Sequence, residues 1–191
     1  MSYSSNAGVP TTTTVLNTSK TTGYTQNSLY EQMLQSQGIV VSKSLTANGN
    51  GAQTDTLFTV TGCVKLLDIW AVCTEATNVT TLSNNRIVFY DGAASNEITD
   101  TGAPLDLSTL LGVGDVLIKN GASTTVALVH VAGATCLSVP KVENQPLYLI
   151  KKIGVASYIQ HYFTGDANTD ADLTWYVRYV PITSDGAIAA V

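Results

Sequence analysis

Hydrophobic and polar positions alternate most cleanly in Ala171 to Pro181, ADLTWYVRYVP. Here Leu173, Trp175, Val177 and Tyr179 fall on one face and Thr174, Tyr176, Arg178 and Val180 on the other. β-Branched and aromatic side chains dominate the run, and Pro181 closes it because its nitrogen has no hydrogen to give to a ladder. The first face is expected to line a core. The second carries Tyr176 and Arg178, a mixture suited to a water-facing surface or to an interface between subunits.

Shorter runs of the same kind follow one another from Gly38 onward: Ile39 to Leu45, Leu57 to Thr61, Cys63 to Thr74, Arg86 to Tyr90, Val116 to Lys119, Thr124 to Val131, Leu137 to Val139, Leu147 to Lys151 and Val155 to Phe163. Turn-forming clusters separate them, among them ANGNGAQTD at 47–55 and the pair Asp91-Gly92. Leu105 to Leu111, between Pro104 and Gly112, fits either one helical turn or a loop that packs its leucines. About ten short strands with regular turn signals and no alternating helices predict an all-β fold, an antiparallel β-sandwich or jelly roll. Cys63 to Thr74 and Val155 to Phe163 are apolar or aromatic on both faces, whereas the outer face of a lone sandwich is polar. One outer face is therefore expected to be covered by a copy of the chain or by a larger shell.

Residues 1–37 break the pattern. The stretch 1–27 is rich in threonine, serine and asparagine and poor in large apolar groups, so alone it cannot offset its ordering entropy. It is expected to be an extended arm that is held by neighbours. Ser28 to Gln37 predicts one short helix, with Ser28 as cap, Glu31 completing a capping box and Gly38 as the left-handed stop. Leu29, Tyr30, Met33 and Leu34 form its apolar stripe. A helix this short must dock, either on its own β domain or into a partner, and those four residues are the candidate partner contacts. The expected division is an arm at 1–37 and a β-sandwich body at 38–191.

Composition narrows the partners. Only 12% of the 191 residues are charged and the formal net charge is −5, so no cluster of cations exists to follow a phosphate backbone, and nucleic acid is not an expected partner. No apolar run approaches the roughly 20 residues of a membrane-spanning helix, so no membrane association is expected. The opening MSYSSNAGVP has neither a basic nor an apolar leader region, which predicts synthesis and folding in a cytoplasm. Cys63, Cys73 and Cys136 lie in apolar runs without metal-ligand spacing and read as buried free thiols, with a Cys63–Cys73 bridge as the alternative.

Candidate chemistry is sparse. Asp166, Asn168, Asp170 and Asp172 alternate as in a calcium loop but lack its sixth-position glycine and twelfth-position glutamate, so a solvated loop is the expectation. The two histidines, His130 and His161, stand in no nucleophile or metal motif, and His161 reads as a packed or interface residue. Glu75, Asp91 and Glu97 could supply a hydrolytic carboxylate pair, but nothing in the sequence selects two of them. The groups NGNG at 48–51 and GVG at 112–114 read as turns, and the sequon at Asn78 as chance. No catalytic residue, cofactor or metal is expected, and the chain reads as a non-enzyme. Tyr158, Tyr162, Tyr176 and Arg178 are the candidate oligomer-interface residues, with stacking of the tyrosines on sugars as the alternative to packing between subunits.

The ending resembles that of small virion proteins of tailed bacteriophages, in which a strand W-x-V-x-Y-x-P is followed by Gly-Ala and a small-residue tail. The matching positions are Trp175, Val177, Tyr179 and Pro181, then Gly186, Ala187 and Ile188 to Val191. Leu147 to Phe163 is similar to the strand pair that precedes this ending in the group. The resemblance implies a protein on the capsid surface of the virion, a decoration (cement) protein or head-fibre base. It further implies a trimer. The N-terminal arm has no counterpart in the group, and its composition alone makes it the expected contact to the major capsid protein. The other expectation is a receptor- or glycan-binding module of a fibre or tail.

Overall fold

The computed structural model describes residues 37–75, 82–107, 111–121, 124, 126–132, 146–165 and 170–191. The first strands follow the alternating runs: β1 (Ile39–Asn48), β2 (Gly51–Thr61), β3 (Cys63–Glu75) and β4 (Leu82–Tyr90). Three residues each form β5 (Ser95–Glu97) and β6 (Leu105–Leu107), and four each form β7 (Val116–Lys119), β8 (Leu128–Val131) and β9 (Leu147–Ile150). Two long strands, β10 (Ser157–Gly165) and β11 (Asp170–Pro181), and a short β12 (Ala187–Ala190) complete the chain.

The strands form two antiparallel sheets packed on each other as a sandwich. Sheet I runs β1-β11-β3-β7-β8, and β9 joins the stretch Cys63–Leu66 of β3 next to the stretch Trp70–Val72 that holds β7. Sheet II runs β12-β2-β10-β4-β5, with β6 also on β4. The quartets β1-β11-β3-β7 and β2-β10-β4-β5 stand in jelly-roll order: the chain changes sheet at each step from β1 to β4 and again between β10 and β11. Phe58, Ile87, Ile159 and Phe163 of sheet II and Ile69, Leu173, Trp175 and Val177 of sheet I are all buried and fill the space between.

Register shifts interrupt the simple alternation of the long strands. Ile159 faces Phe58 but Gln160 faces Thr56, which leaves Leu57 as the extra residue and buries Leu57 and Phe58 in succession. Arg178 faces Asp68 and Tyr179 faces Leu66, so Leu67 is extra in β3; Asp68, of the same parity as Trp70, is buried next to Ile69 where it pairs with Arg178. Beyond that shift Val180, expected on the outer face with Arg178, is buried as well.

Several expectations need correction. The segment 47–55 is strand almost throughout, with its turn confined to the residues around Gly49 and Asn50. Leu105–Leu107, expected within a helical turn or a loop, is a strand, because it can bond to β4 at Leu82 and Asn85. The small-residue tail contains β12, which pairs with β2. Cys63 and Cys73 are free thiols, as expected, but only Cys73 is buried and Cys63 is half-buried; they stand about 33 Å apart along β3 at the rise of a strand, too far for the alternative bridge. The expected helix over Ser28 to Gln37 with Leu29, Tyr30, Met33 and Leu34, the strand at Leu137 to Val139, Cys136, and most of the Asp166 to Asp172 loop lie outside the described residues.

The turn into β12 depends on two glycines. Gly62 has φ +52, and a Cβ there would stand 2.7 Å from the Gly186 nitrogen; a Cβ on Gly186 would strike the Cys63 carbonyl. Both obstacles are backbone atoms in a bonded crossing, where Gly186 N–H donates to the Thr183 carbonyl at 2.9 Å and Ile182 N–H to that of Cys63 at 2.9 Å. Gly186→Ala is expected to cost about 1–3 kcal/mol of stability, read as a lower urea midpoint with unchanged slope.

Candidate functional site

Two outer faces of contrasting chemistry arise from the alternation. On sheet I, the ladder sets Tyr176, Trp70, Ile118 and Val129 side by side on four adjacent strands, and Thr174, Val72, Val116 and Val131 in the next row. The Trp70 and Tyr176 rings are stacked, with centroids 5.2 Å apart and planes 9° from parallel. All of this lies on the outside of the sandwich, where threonine and lysine would serve a free monomer better. The register puts large apolar side chains there because β3 and β7 are apolar at both parities.

Below the aromatic row, Arg178 forms an ion pair with Asp68, whose side chain is 7% exposed against 37% for the arginine. Lys119 is also buried; its Nζ donates to the Gly121 carbonyl at 2.8 Å, and burial pulls its pKa below the ordinary lysine value while the Asp68 charge opposes that shift. Arg178 is thus engaged within its own chain.

Sheet II presents hydroxyls, amides and tyrosines. Tyr158 stands beside Tyr90, Gln160 beside Val88, and Tyr162 beside Arg86. The Arg86 guanidinium lies 5.2 Å from the centre of the Tyr162 ring, and Gln160 Nε2 donates to Thr56 Oγ1 at 3.3 Å. The four residues proposed from sequence as one oligomer interface therefore divide, Tyr158 and Tyr162 on sheet II and Tyr176 and Arg178 on the opposite side of the sandwich. Trp70 and the valines around it were not singled out from sequence, although the apolar character of both faces of Cys63 to Thr74 pointed to them.

A groove of about 350 Å³ opens between the β4–β5 hairpin and β9, lined by Phe89, Asp91, Asn96, Glu97 and Leu147–Ile150. Asp91 is held below the usual carboxylate range, chiefly by the N–H groups of Ala94 and Ala93, which donate to its Oδ1 at 2.8 and 2.9 Å.

Both histidines are occupied structurally. His130 Nε2 lies 2.9 Å from Asp115 Oδ2, which also accepts the Gly112 N–H and so ties β8 to the turn before β7. His161 is fully buried between the sheets, its ring 5.0 Å from Phe163 and 4.9 Å from Trp175. Its Nε2 is 3.1 Å from Asn85 Oδ1. Asn85 Nδ2 donates to the carbonyls of Leu82 and Leu105 at 2.6 and 3.0 Å, so Oδ1 is the acceptor and Nε2 carries the proton. Burial depresses the His161 pKa to about 3. Among the described residues no group of three or more His, Cys, Asp or Glu side chains is arranged to hold a metal ion. No family model, curated protein or solved structure matches this chain.

Proposed function

We propose that the chain is a non-enzymatic structural protein of a tailed-phage particle, a capsid-decorating (cement) or head-fibre-base subunit that associates as a trimer and binds the major capsid protein through its N-terminal arm. The observation that carries this reading is the apolar outer face of sheet I. Burying Trp70, Val72, Val116, Ile118 and Val129 against neighbouring subunits stabilises an assembly in proportion to the area removed from water. The jelly roll supports it as an architecture used by viral capsid domains, and the phage-like ending Trp175 to Ala187 adds the particle type. An extended arm can add strand-type backbone bonds along neighbouring subunits, and a symmetric lattice multiplies a modest single-copy affinity. The test is co-sedimentation with empty shells. The full chain should pellet with shells and a chain lacking residues 1–37 should stay in the supernatant while keeping its β-type circular dichroism; equal pelleting of both would overturn the arm as anchor.

One observation favours a second reading, a receptor- or glycan-binding module. The sheet II face combines Tyr90, Tyr158 and Tyr162 with Arg86 and Gln160, flat rings beside hydrogen-bonding groups that suit sugars. On that reading Tyr158→Ala abolishes glycan-array binding and Tyr176→Ala, on the far side, leaves it unchanged.

A further inference from the structure

We infer that the end of the sandwich where β2 crosses to β3 is a self-association surface, in which Ile153 of one copy enters the β5–β9 groove of a second copy. The inference rests on the assembly reading above and deepens it by adding, beside the outer face of sheet I, a contact at the end of the sandwich. Tyr148, Ile150, Ile153 and Ile182 are 61%, 62%, 98% and 50% exposed. They lie together: Ile150 faces Cys63 in the ladder, the Cys63 carbonyl accepts the Ile182 N–H, and Lys151 N–H donates to the Gly62 carbonyl, which brings the Ile153 turn to the same end. Large apolar side chains this exposed and this contiguous mark a docking surface.

Shape supplies a knob and a hole. Ile153 projects from the tip of a turn whose Gly154 has φ +81, and the groove beside it has an apolar floor of Phe89, Leu147 and Leu149. Charge selects the occupant. Lys65, Lys151 and Lys152 stand at this end with Asp91, Glu97 and Asp185: Lys65 faces Tyr148, Lys152 acts on Asp91, and Asp185 borders Gly62. A patch of one sign repels its own copy, whereas one carrying both signs can pair its lysines with the carboxylates of another copy.

The test measures the mass of the full chain by sedimentation equilibrium across a range of concentrations. The wild type is expected at a multiple of 20.1 kDa. Ile153→Asp, a change at a fully exposed turn tip, is expected to weaken association at least tenfold. Lys152→Glu is expected to weaken it too, and pairing it with Glu97→Lys to restore it. A wild type that stays at 20.1 kDa throughout, or an Ile153→Asp chain that keeps the wild-type mass, would overturn the inference. Shell co-sedimentation is scored separately. A wild type that assembles, loses assembly on Ile153→Asp and binds no shells sinks the particle reading alone; shell binding by a monomeric wild type sinks this inference alone.

Discussion

Trp175→Ala is expected to lower stability by about 3–5 kcal/mol. Trp175 is fully buried and projects from β11 onto the His161 ring of the opposite sheet, so it touches both layers of the sandwich. Alanine would leave a cavity between two sheets whose separation is set by long bonded strands, β11 on β3 and β10 on β2 and β4, and that framework cannot close over it. In a domain of this size the melting temperature should fall by roughly 10 °C. Trp175→Phe should cost distinctly less, because the indole Nε1–H has no hydrogen-bond partner among the described residues and removing an orphaned buried donor offsets part of the lost packing. Urea unfolding followed by circular dichroism checks both. A loss under about 1 kcal/mol for the alanine variant would mean that the core is not centred on β11.

Acidification is expected to destabilise the fold well before its carboxylates titrate. His161 is neutral in the folded chain, with its pKa depressed from 6.5 to about 3, whereas the unfolded chain takes up a proton near 6.5. Its contribution is therefore fully present above about pH 6.5 and is lost as pH falls toward 3, at up to about 1.4 kcal/mol per pH unit and about 4–5 kcal/mol in all. Asp55, opposite His161 in the ladder, acts in the reverse sense: burial raises its pKa, so the folded chain takes that proton first and gains stability as pH falls through the raised value. Across the window from pH 6.5 down to the carboxylate range, the difference between the wild type and His161→Phe isolates the contribution of His161 from those of Asp55 and the His130–Asp115 pair. Unfolding free energy measured across it should decline in the wild type and flatten in His161→Phe, and the His161 ring resonances should stay at their neutral positions to below pH 4. A titration of the ring near pH 6.5 would show it to be solvated.

The strand content and the identity of the buried face of β11 were legible in the chain because side chains alternate with a period of two, and Leu173, Trp175, Val177 and Tyr179 obey it. The apolar second face of Cys63 to Thr74 was equally legible, since Trp70 and Val72 have the parity opposite to Ala71 and Cys73. Short strands such as Ser95–Glu97 and Ala187–Ala190 were not, because neither has an apolar alternation of its own and each exists through backbone bonds to a distant strand.

By itself, then, the sequence determined an all-β sandwich, which face of β11 turns inward, and an excess of apolar surface, because local alternation and composition carry that information. Only the tertiary structure decided which outer face each residue joins. Tyr158 and Tyr162 parted from Tyr176 and Arg178 when β10 and β11 went to different sheets, and Arg178 met Asp68 because the register that pairs Tyr176 with Trp70 sets them level. It also decided that Tyr148, Ile150, Ile153 and Ile182 gather at one end. Those pairings join residues far apart in the chain, and periodicity within a strand says nothing about its partner.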